Sequence, residues 1–349
     1  MIYQFVPAIS KGDAVSNDIF ALSAALTKTG KPNRIAAESI PAFFQERVDS
    51  FSEAAGTLTS EDLLIYHMAV GCEMNKWIIS QTCRKVMIYH NITPENYFTY
   101  YDINSAAVTR QGRHDLALMA PHFDLAIGDS EYNAQELRDL GYKNVHSLPL
   151  LIPFADYEAT PDRALLEKYD DDYLNLLFVG RMVPNKCIED IISAFSLLKK
   201  LRPRSRLFLV GSQSMERYAH KLINYVTNLE LEDVIFAGFT TFPEILAYYK
   251  LADLFLCMSE HEGFCVPVVE AMLFDIPVLA YASSAVPETL GVAGVVFSEK
   301  NFPYISGLIN KIASDESIRT SILAAQRERL KAFAPGPIAD RFIKLIESI

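Results

Sequence analysis

ADLFLCMSEHEGFCVPVVEAM, residues 252–272, holds two glutamates, Glu262 and Glu270, on either side of Gly263 and Pro267. The run Leu254, Phe255, Leu256, Cys257 is short and uniformly apolar, the signature of a strand buried on both faces. VVEAMLF after Pro267 is a helical pattern, and proline suits a first helical position because the N–H it lacks would have no partner there. Gly263 gives the connecting turn backbone freedom. Glu262 is therefore expected on a loop at the carboxyl end of a strand, and Glu270 one turn into the next helix. The amides of Phe264, Cys265 and Val266 are expected to point between the two acids. A helix start favours anions, phosphate above all. Two carboxylates beside an anion site suit a bifunctional ligand, and a nucleotide sugar is one: the diphosphate meets the amides while sugar and ribose hydroxyls donate to the carboxylates.

Working outward, strand-like and helix-like segments alternate twice. IYQFVPA, DLLIYHMAV, KVMIYHNI and FDLAIGDS are strand candidates in the first half, with SNDIFALSAALTKTG and EYNAQELRDLG as helices and Ser130 as an N-cap. NLLFVGR, RLFLVGS, DVIFAGF, DLFLCMS, PVLAYAS and GVVF form the second series. Short apolar strands separated by helices imply parallel sheets covered on both faces, so the expected architecture is α/β, two doubly wound Rossmann-like domains facing a cleft. At 349 residues, two domains of roughly 150 residues are the natural division. The polar stretch DYEATPDRALLEKYDDD is the candidate linker between them.

In such folds ligands bind where strands end. The strand LLFVG runs into RMVPNK, which puts Arg181 and Lys186 on one loop, two cations placed to hold a diphosphate and take up its charge as it leaves. Gly211, Gly238 and Phe239 follow two neighbouring strands, and the glycines permit close approach of backbone to ligand. In the first half, Gly12 and Asp13 follow the first strand, and two strands end in the same tripeptide, at His67 and His90. A histidine at such a place faces the ligand side as often as it merely packs; His114, His122, His146, His220 and His261 are read as packing or surface residues.

The net charge of −11 argues against nucleic acid as the main partner. The basic run KKLRPRSR, 199–206, is read first as a solvated helix end. Five cysteines without a CxxC spacing suggest free thiols in a reducing compartment. No basic leader precedes an apolar stretch at the N-terminus, and no apolar run approaches membrane-spanning length. The expected location is the cytoplasm, extending to peripheral attachment at the inner face of a membrane. No GxGxxG follows a strand, and neither GxxxxGK[ST] nor HExxH occurs. The acidic run Asp170-Asp171-Asp172 lies before a strand, the wrong end for a ligand, so no metal site is expected.

FVGRMVPNKCIEDIISAF, FLVGS, VIFAGF, the 252–272 block and SSAVPETLG come in an order that resembles the retaining GT-B glycosyltransferases of family 4, the glycosyl transferases group 1. GDAVSND, IYHNITP and AIGDSEYNAQEL are similar to the first half of that family, more loosely. The resemblance implies an acceptor-side domain over 1–155, a linker over 156–172, a nucleotide-sugar domain over 173–332, and a terminal helix over 333–349 returning to the first domain. It implies a hexosyltransferase without a metal or other cofactor. The donor would be a UDP-sugar, slightly favoured over a GDP-sugar, and the acceptor a glycan or a lipid-linked glycan of a cell-surface polysaccharide. Arg181 and Lys186 would hold the diphosphate. Glu262 would meet the transferred sugar with the amides of Gly263, Phe264 and Cys265, and Glu270 the ribose. Gly238 and Phe239 would lie near the base, His90 would approach the sugar, and Gly12 and Asp13 would line the acceptor side. Cys187 and Cys265 depart from the family pattern, in which glycine is usual at both places. Two other readings stay open: a nucleotide-sugar epimerase on the same plan, and a non-catalytic nucleotide-sugar-binding subunit. Oligomeric state is not legible.

Overall fold

The computed structural model describes all 349 residues, which form two compact units. The first comprises residues 1–99, 103–153 and 333–349, the second residues 100–102 and 154–332.

The first unit is built on seven strands: β1 (Ile2–Ala8), β2 (Asn33–Ser39), β3 (Asp49–Ser50), β4 (Leu63–Met68), β5 (Arg84–Tyr89), β6 (Leu125–Gly128) and β7 (Val145–Ser147). Their order is β3-β2-β1-β4-β5-β6-β7, and every pairing is parallel. Alternate residues of the central strands feed two separate cores. Phe5, Leu64, Tyr66, Met87 and Tyr89 pack on one face, Ile65, Val86, Ile88 and Ile127 on the other. That is why these strands carry apolar residues on both faces. Helix Pro335–Glu347 lays Ile338, Phe342 and Ile346 onto the second of these cores, beside Leu22 and Leu26.

The second unit has six strands: β8 (Leu174–Val179), β9 (Ser205–Val210), β10 (Val234–Gly238), β11 (Leu254–Cys257), β12 (Val278–Tyr281) and β13 (Val295–Phe297). They are ordered β10-β9-β8-β11-β12-β13, again all parallel. These are the six segments marked out by the sequence. Helix Arg163–Lys168 belongs to this unit, capped by Asp162 and packed through Leu165. Asp171 carries a structural ion pair with Arg206, at 2.7 Å.

Each sheet grows outward from a central first strand in two directions. The reversal falls between β1 and β4 in the first unit and between β8 and β11 in the second. Loops leaving adjacent strands at a reversal diverge and leave a crevice between them, the usual place for a ligand in open α/β sheets.

Candidate functional site

In the second unit side chains from the connections after β8 and β11 meet across this reversal. Lys186 ends a 3₁₀ turn, Pro184–Lys186, and its Nζ lies 2.5 Å from Oε1 of Glu262, with side-chain exposures of 18% and 9%. Burial works against the Lys186 ammonium, but the charge and hydrogen bond of Glu262 outweigh it and hold the group above its ordinary value. Arg181, on the same connection, is exposed and pairs with no carboxylate.

The loop that carries Glu262 is fixed at almost every residue. Ser283 Oγ donates to the Ser259 carbonyl at 2.5 Å, and Asn185 Nδ2 to the His261 carbonyl at 2.9 Å. The Glu262 amide donates to Ser284 Oγ at 2.8 Å, and Thr289 Oγ1 to the Phe264 carbonyl at 2.5 Å. SSAVPETLG therefore acts as the loop's anchor. Gly263 lies within the anchored segment, and the helix that follows runs Val266–Leu273 with Val266 first and Pro267 second, one place later than the sequence suggested. Its N-cap is Cys265, in the left-handed region at φ 74°.

Glu270 lies in that helix, and both its oxygens are engaged: Tyr157 Oη and Tyr249 Oη each donate at 2.5 Å. Burial raises its carboxyl, and the two hydroxyls offset part of that rise. The tyrosines were not singled out by the sequence. Tyr157 lies far away in the chain, in the charged stretch before β8, and Tyr249 has the spacing of an ordinary core residue.

Gly211 and Gly238 close β9 and β10. Gly211 has φ +142°, and a Cβ there would fall 2.1 Å from the Gly180 carbonyl oxygen, so the ends of β8 and β9 meet backbone to backbone. Gly238 has φ +69°, and Phe239 beside it is 82% exposed.

The first unit gathers a different set. His90, just past β5, donates through Nδ1 to the Asp129 carboxylate at 2.9 Å, while its Nε2 meets His67 Nδ1 at 2.9 Å. The far nitrogen of His67 meets Gln4 Oε1 at 3.1 Å, and the two rings are stacked 5° from parallel. Four adjacent strands thus supply one buried polar chain, Gln4 from within β1 and His67, His90 and Asp129 from the ends of β4, β5 and β6. Burial opposes the His90 imidazolium, but Asp129, then Asp18 and Asp13, raise it. His67 is pushed well below its ordinary value by burial and by His90. Asp18 accepts the Leu151 amide at 2.7 Å and is raised to about 7, chiefly by burial. Asp13 is the N-cap of helix Ala14–Lys28, taking the Ser16 amide at 3.0 Å, and Gly12 before it has φ +74°. Of the residues marked by sequence, then, Lys186, Glu262 and Cys265 meet in one unit and His90 and His67 in the other.

Comparison with known proteins follows the same division. The model of a family described as glycosyl transferases group 1 matches residues 163–331. The serotype-specific mannosyltransferase WbdA of Escherichia coli is 30% identical over 173 residues, 48% of this chain and 21% of that one. The O-antigen chain mannosyltransferase B of Escherichia coli is 30% identical over 186 residues, 52% of this chain and 48% of that one. The chain thus spans about half or less of the length of these curated relatives. Among solved structures, Anabaena Alr3699/HepE in complex with UDP-glucose superposes with a TM-score of 0.80 at 18% identity, covering 100% of this chain and 99% of that one. Sucrose-phosphate synthase (tll1590) from Thermosynechococcus elongatus superposes with a TM-score of 0.78 at 17% identity, covering 99% and 98%. These likenesses show the fold, GT-B, with two doubly wound units. No helix is long and apolar enough to cross a membrane.

Proposed function

From a chain that belongs, through residues 163–331, to the glycosyl transferases group 1 family, we propose that the protein transfers a hexosyl group from a nucleoside-diphosphate sugar to a glycan or lipid-linked acceptor. The observation that carries this reading is the pairing of Lys186 with Glu262 on an anchored loop at the β8–β11 reversal, with Glu270 eight residues further on. The donor's diphosphate takes Lys186 and Arg181 as its cations, and Glu262, released from Lys186, accepts from the sugar. Glu270 has two oxygens with a lone pair each left over from Tyr157 and Tyr249, enough to accept two ribose hydroxyls. The two side-chain cations supply the charge stabilisation that the leaving diphosphate needs, so the reading calls for no resident cofactor.

The transfer is proposed to retain the anomeric configuration. The departing phosphate oxygen takes the acceptor's proton on the face it leaves, and the protein contributes orientation and electrostatics. UDP is the favoured nucleotide, in line with the ligand named for the HepE complex. A surface polysaccharide is the favoured product, in line with the O-antigen mannosyltransferase among the relatives. His90, Gly12 and Asp13 are proposed for the acceptor side, and peripheral attachment to a cytoplasmic membrane face fits a lipid-linked acceptor.

The test is release of free nucleoside diphosphate from a panel of UDP- and GDP-sugars, with and without glycan acceptors, beside thermal-shift screening with UDP, GDP and ADP. Release that depends on acceptor supports transfer. Release or isomerisation without acceptor favours an epimerase, and binding without turnover favours a non-catalytic subunit.

A further inference from the structure

Three side-chain clusters have donor atoms close enough to share an ion: Asp18, His67 and His90; Cys187, Asp190 and Glu260; and Cys257, Glu262 and Cys265. They differ in what already satisfies them. Two imidazoles on one tetrahedral zinc stand about 3.3 Å apart, from metal–nitrogen bonds of about 2.0–2.1 Å. The His67 and His90 nitrogens are at 2.9 Å, a hydrogen bond, with their other nitrogens on Gln4 and Asp129. In the second cluster the Lys300 ammonium already sits between the carboxylates, 2.6 Å from Asp190 and 2.8 Å from Glu260.

In the third cluster an ammonium also sits on the carboxylate, Lys186 on Glu262 at 2.5 Å, but the cluster offers two thiols in place of one. Two thiolates on one tetrahedral zinc stand about 3.8 Å apart, from bonds of about 2.3 Å. Cys257 Sγ and Cys265 Sγ are 4.0 Å apart, and Cys257 is also hydrogen-bonded to Ser259, whose Oγ is at 3.5 Å. Glu262 brings an oxygen within 4.8 Å of both sulfurs, and all three residues are buried. The loop between the sulfurs is fixed by Ser283, Asn185, Ser284 and Thr289, so the ligand positions exist before an ion arrives. Cys265 occupies a left-handed backbone position, φ 74°, that disfavours a side-chain-bearing residue relative to glycine. The thiol stands there against the local preference of the backbone.

We propose that Cys257, Cys265 and Glu262 form a site for a soft divalent transition-metal ion, with Zn²⁺ the expected occupant, and that an ion bound there closes the pocket to nucleotide. Binding exchanges two thiol protons for one ion; two thiolates and one carboxylate leave a single negative charge, which the Lys186 ammonium beside Glu262 balances. An ion takes Glu262 as a ligand and holds Lys186 in place, so neither is free for a donor. The closure clause rests on the proposed function; the metal site does not.

The test is titration of the reduced full-length protein with Co²⁺, followed by displacement with Zn²⁺, read by the thiolate-to-cobalt charge-transfer band. One equivalent is expected, and X-ray absorption at the zinc edge is expected to count two sulfurs, a readout that needs no variant. Cys257→Ser and Cys265→Ser should each weaken Zn²⁺ binding at least about tenfold, since even outer-shell changes cost that much; Cys187→Ser should leave it unchanged. Absence of the band, its persistence in both serine variants, or oxidation of the pair to a disulfide in place of binding would overturn the site. UDP binding is measured separately by calorimetry on metal-free protein. If UDP binds there and Zn²⁺ affinity falls in its presence, closure is supported; if UDP binds and Zn²⁺ affinity is unmoved, closure is overturned. If UDP fails to bind while the band is intact, the donor reading of the pocket and the closure clause fall together and the metal site stands.

Discussion

Lys186 and Glu262 lie 76 positions apart in the chain and 2.5 Å apart in space. The distance is closed by topology. Lys186 follows β8 and Glu262 follows β11, and those two strands are neighbours because the sheet reverses direction there. A buried ion pair is weak evidence for stability, since two desolvated charges recover little more than they lose. Under the proposed function it is a pair held ready, each partner satisfied until a donor with both phosphate and hydroxyl groups separates them.

Replacing Lys186 by alanine should lower turnover about 100- to 1000-fold, the usual cost of removing one stabilising donor at a charge-developing centre. Single-turnover measurement with saturating donor checks it, and an unchanged rate would count against the assignment. The same variant leaves Glu262 buried without its cation. Up to about 3 kcal/mol of stability should be lost on that account. The double change Lys186→Met with Glu262→Gln should recover most of it in urea unfolding, although activity stays low.

Glu270 has a carboxyl raised by burial and steadied by Tyr157 and Tyr249. A raised carboxyl favours the folded state fully below the unfolded pKa, and that contribution is lost as pH rises through the folded value. Tyr249→Phe removes one stabilising hydroxyl and raises the carboxyl further. Its cost should therefore be small near pH 4 and reach about 1–2 kcal/mol at pH 7, the worth of a hydrogen bond to a charged group. Denaturant midpoints at the two pH values measure this, and equal losses at both would exclude the ionised carboxyl as the cause. Nucleoside diphosphate binding should weaken in the same variant at pH 7.

The second unit was legible almost strand by strand, because short apolar runs ending in glycine or a charged residue mark parallel strands and the places where they stop. In the first unit β2, β3 and β7 passed unnoticed. NRIAAES is polar at both ends, β3 is two residues long and β7 is three, Val-His-Ser, so none offers an apolar run. The glutamates and Lys186 were found because they sit next to strand ends. Tyr157, Tyr249, Gln4 and Asp129 were not, because what matters about them is a contact between distant segments of one unit that no spacing encodes. Asp13 was marked for ligand contact from its place after β1, and its observed partner is the start of the helix it caps.

Two glycines should respond in opposite senses. Gly211→Ala puts a Cβ 2.1 Å from a backbone oxygen of Gly180, where nothing can yield without separating β8 from β9. A loss of about 3 kcal/mol or more is expected, with nucleotide binding impaired because both strands lead to the site. Gly307 lies inside helix Phe302–Ser314 with open space where its Cβ would be, so Gly307→Ala should gain up to about 1 kcal/mol. Thermal unfolding of the two variants against the parent decides both.

The polar chain of the first unit should make stability fall as pH rises through neutrality. Asp18 is raised from an ordinary 3.8 to about 7, first by burial. Its contribution is fully present below about 4 and disappears as pH climbs to about 7 and beyond. His90, also raised, adds in the same sense above its ordinary value of 6.5. His67, depressed, acts the other way, withdrawing stability only as pH falls below 6.5. Asp18→Asn keeps the oxygen that accepts the Leu151 amide and abolishes the titration. The parent protein should lose urea stability between pH 5 and pH 8, and Asp18→Asn should lose distinctly less over the same interval. A variant that follows the parent's curve throughout would show that the Asp18 carboxyl does not carry the effect, and the slope would then belong to His90 with Asp129, separable by the chemical shifts of the His90 ring nitrogens across the same range.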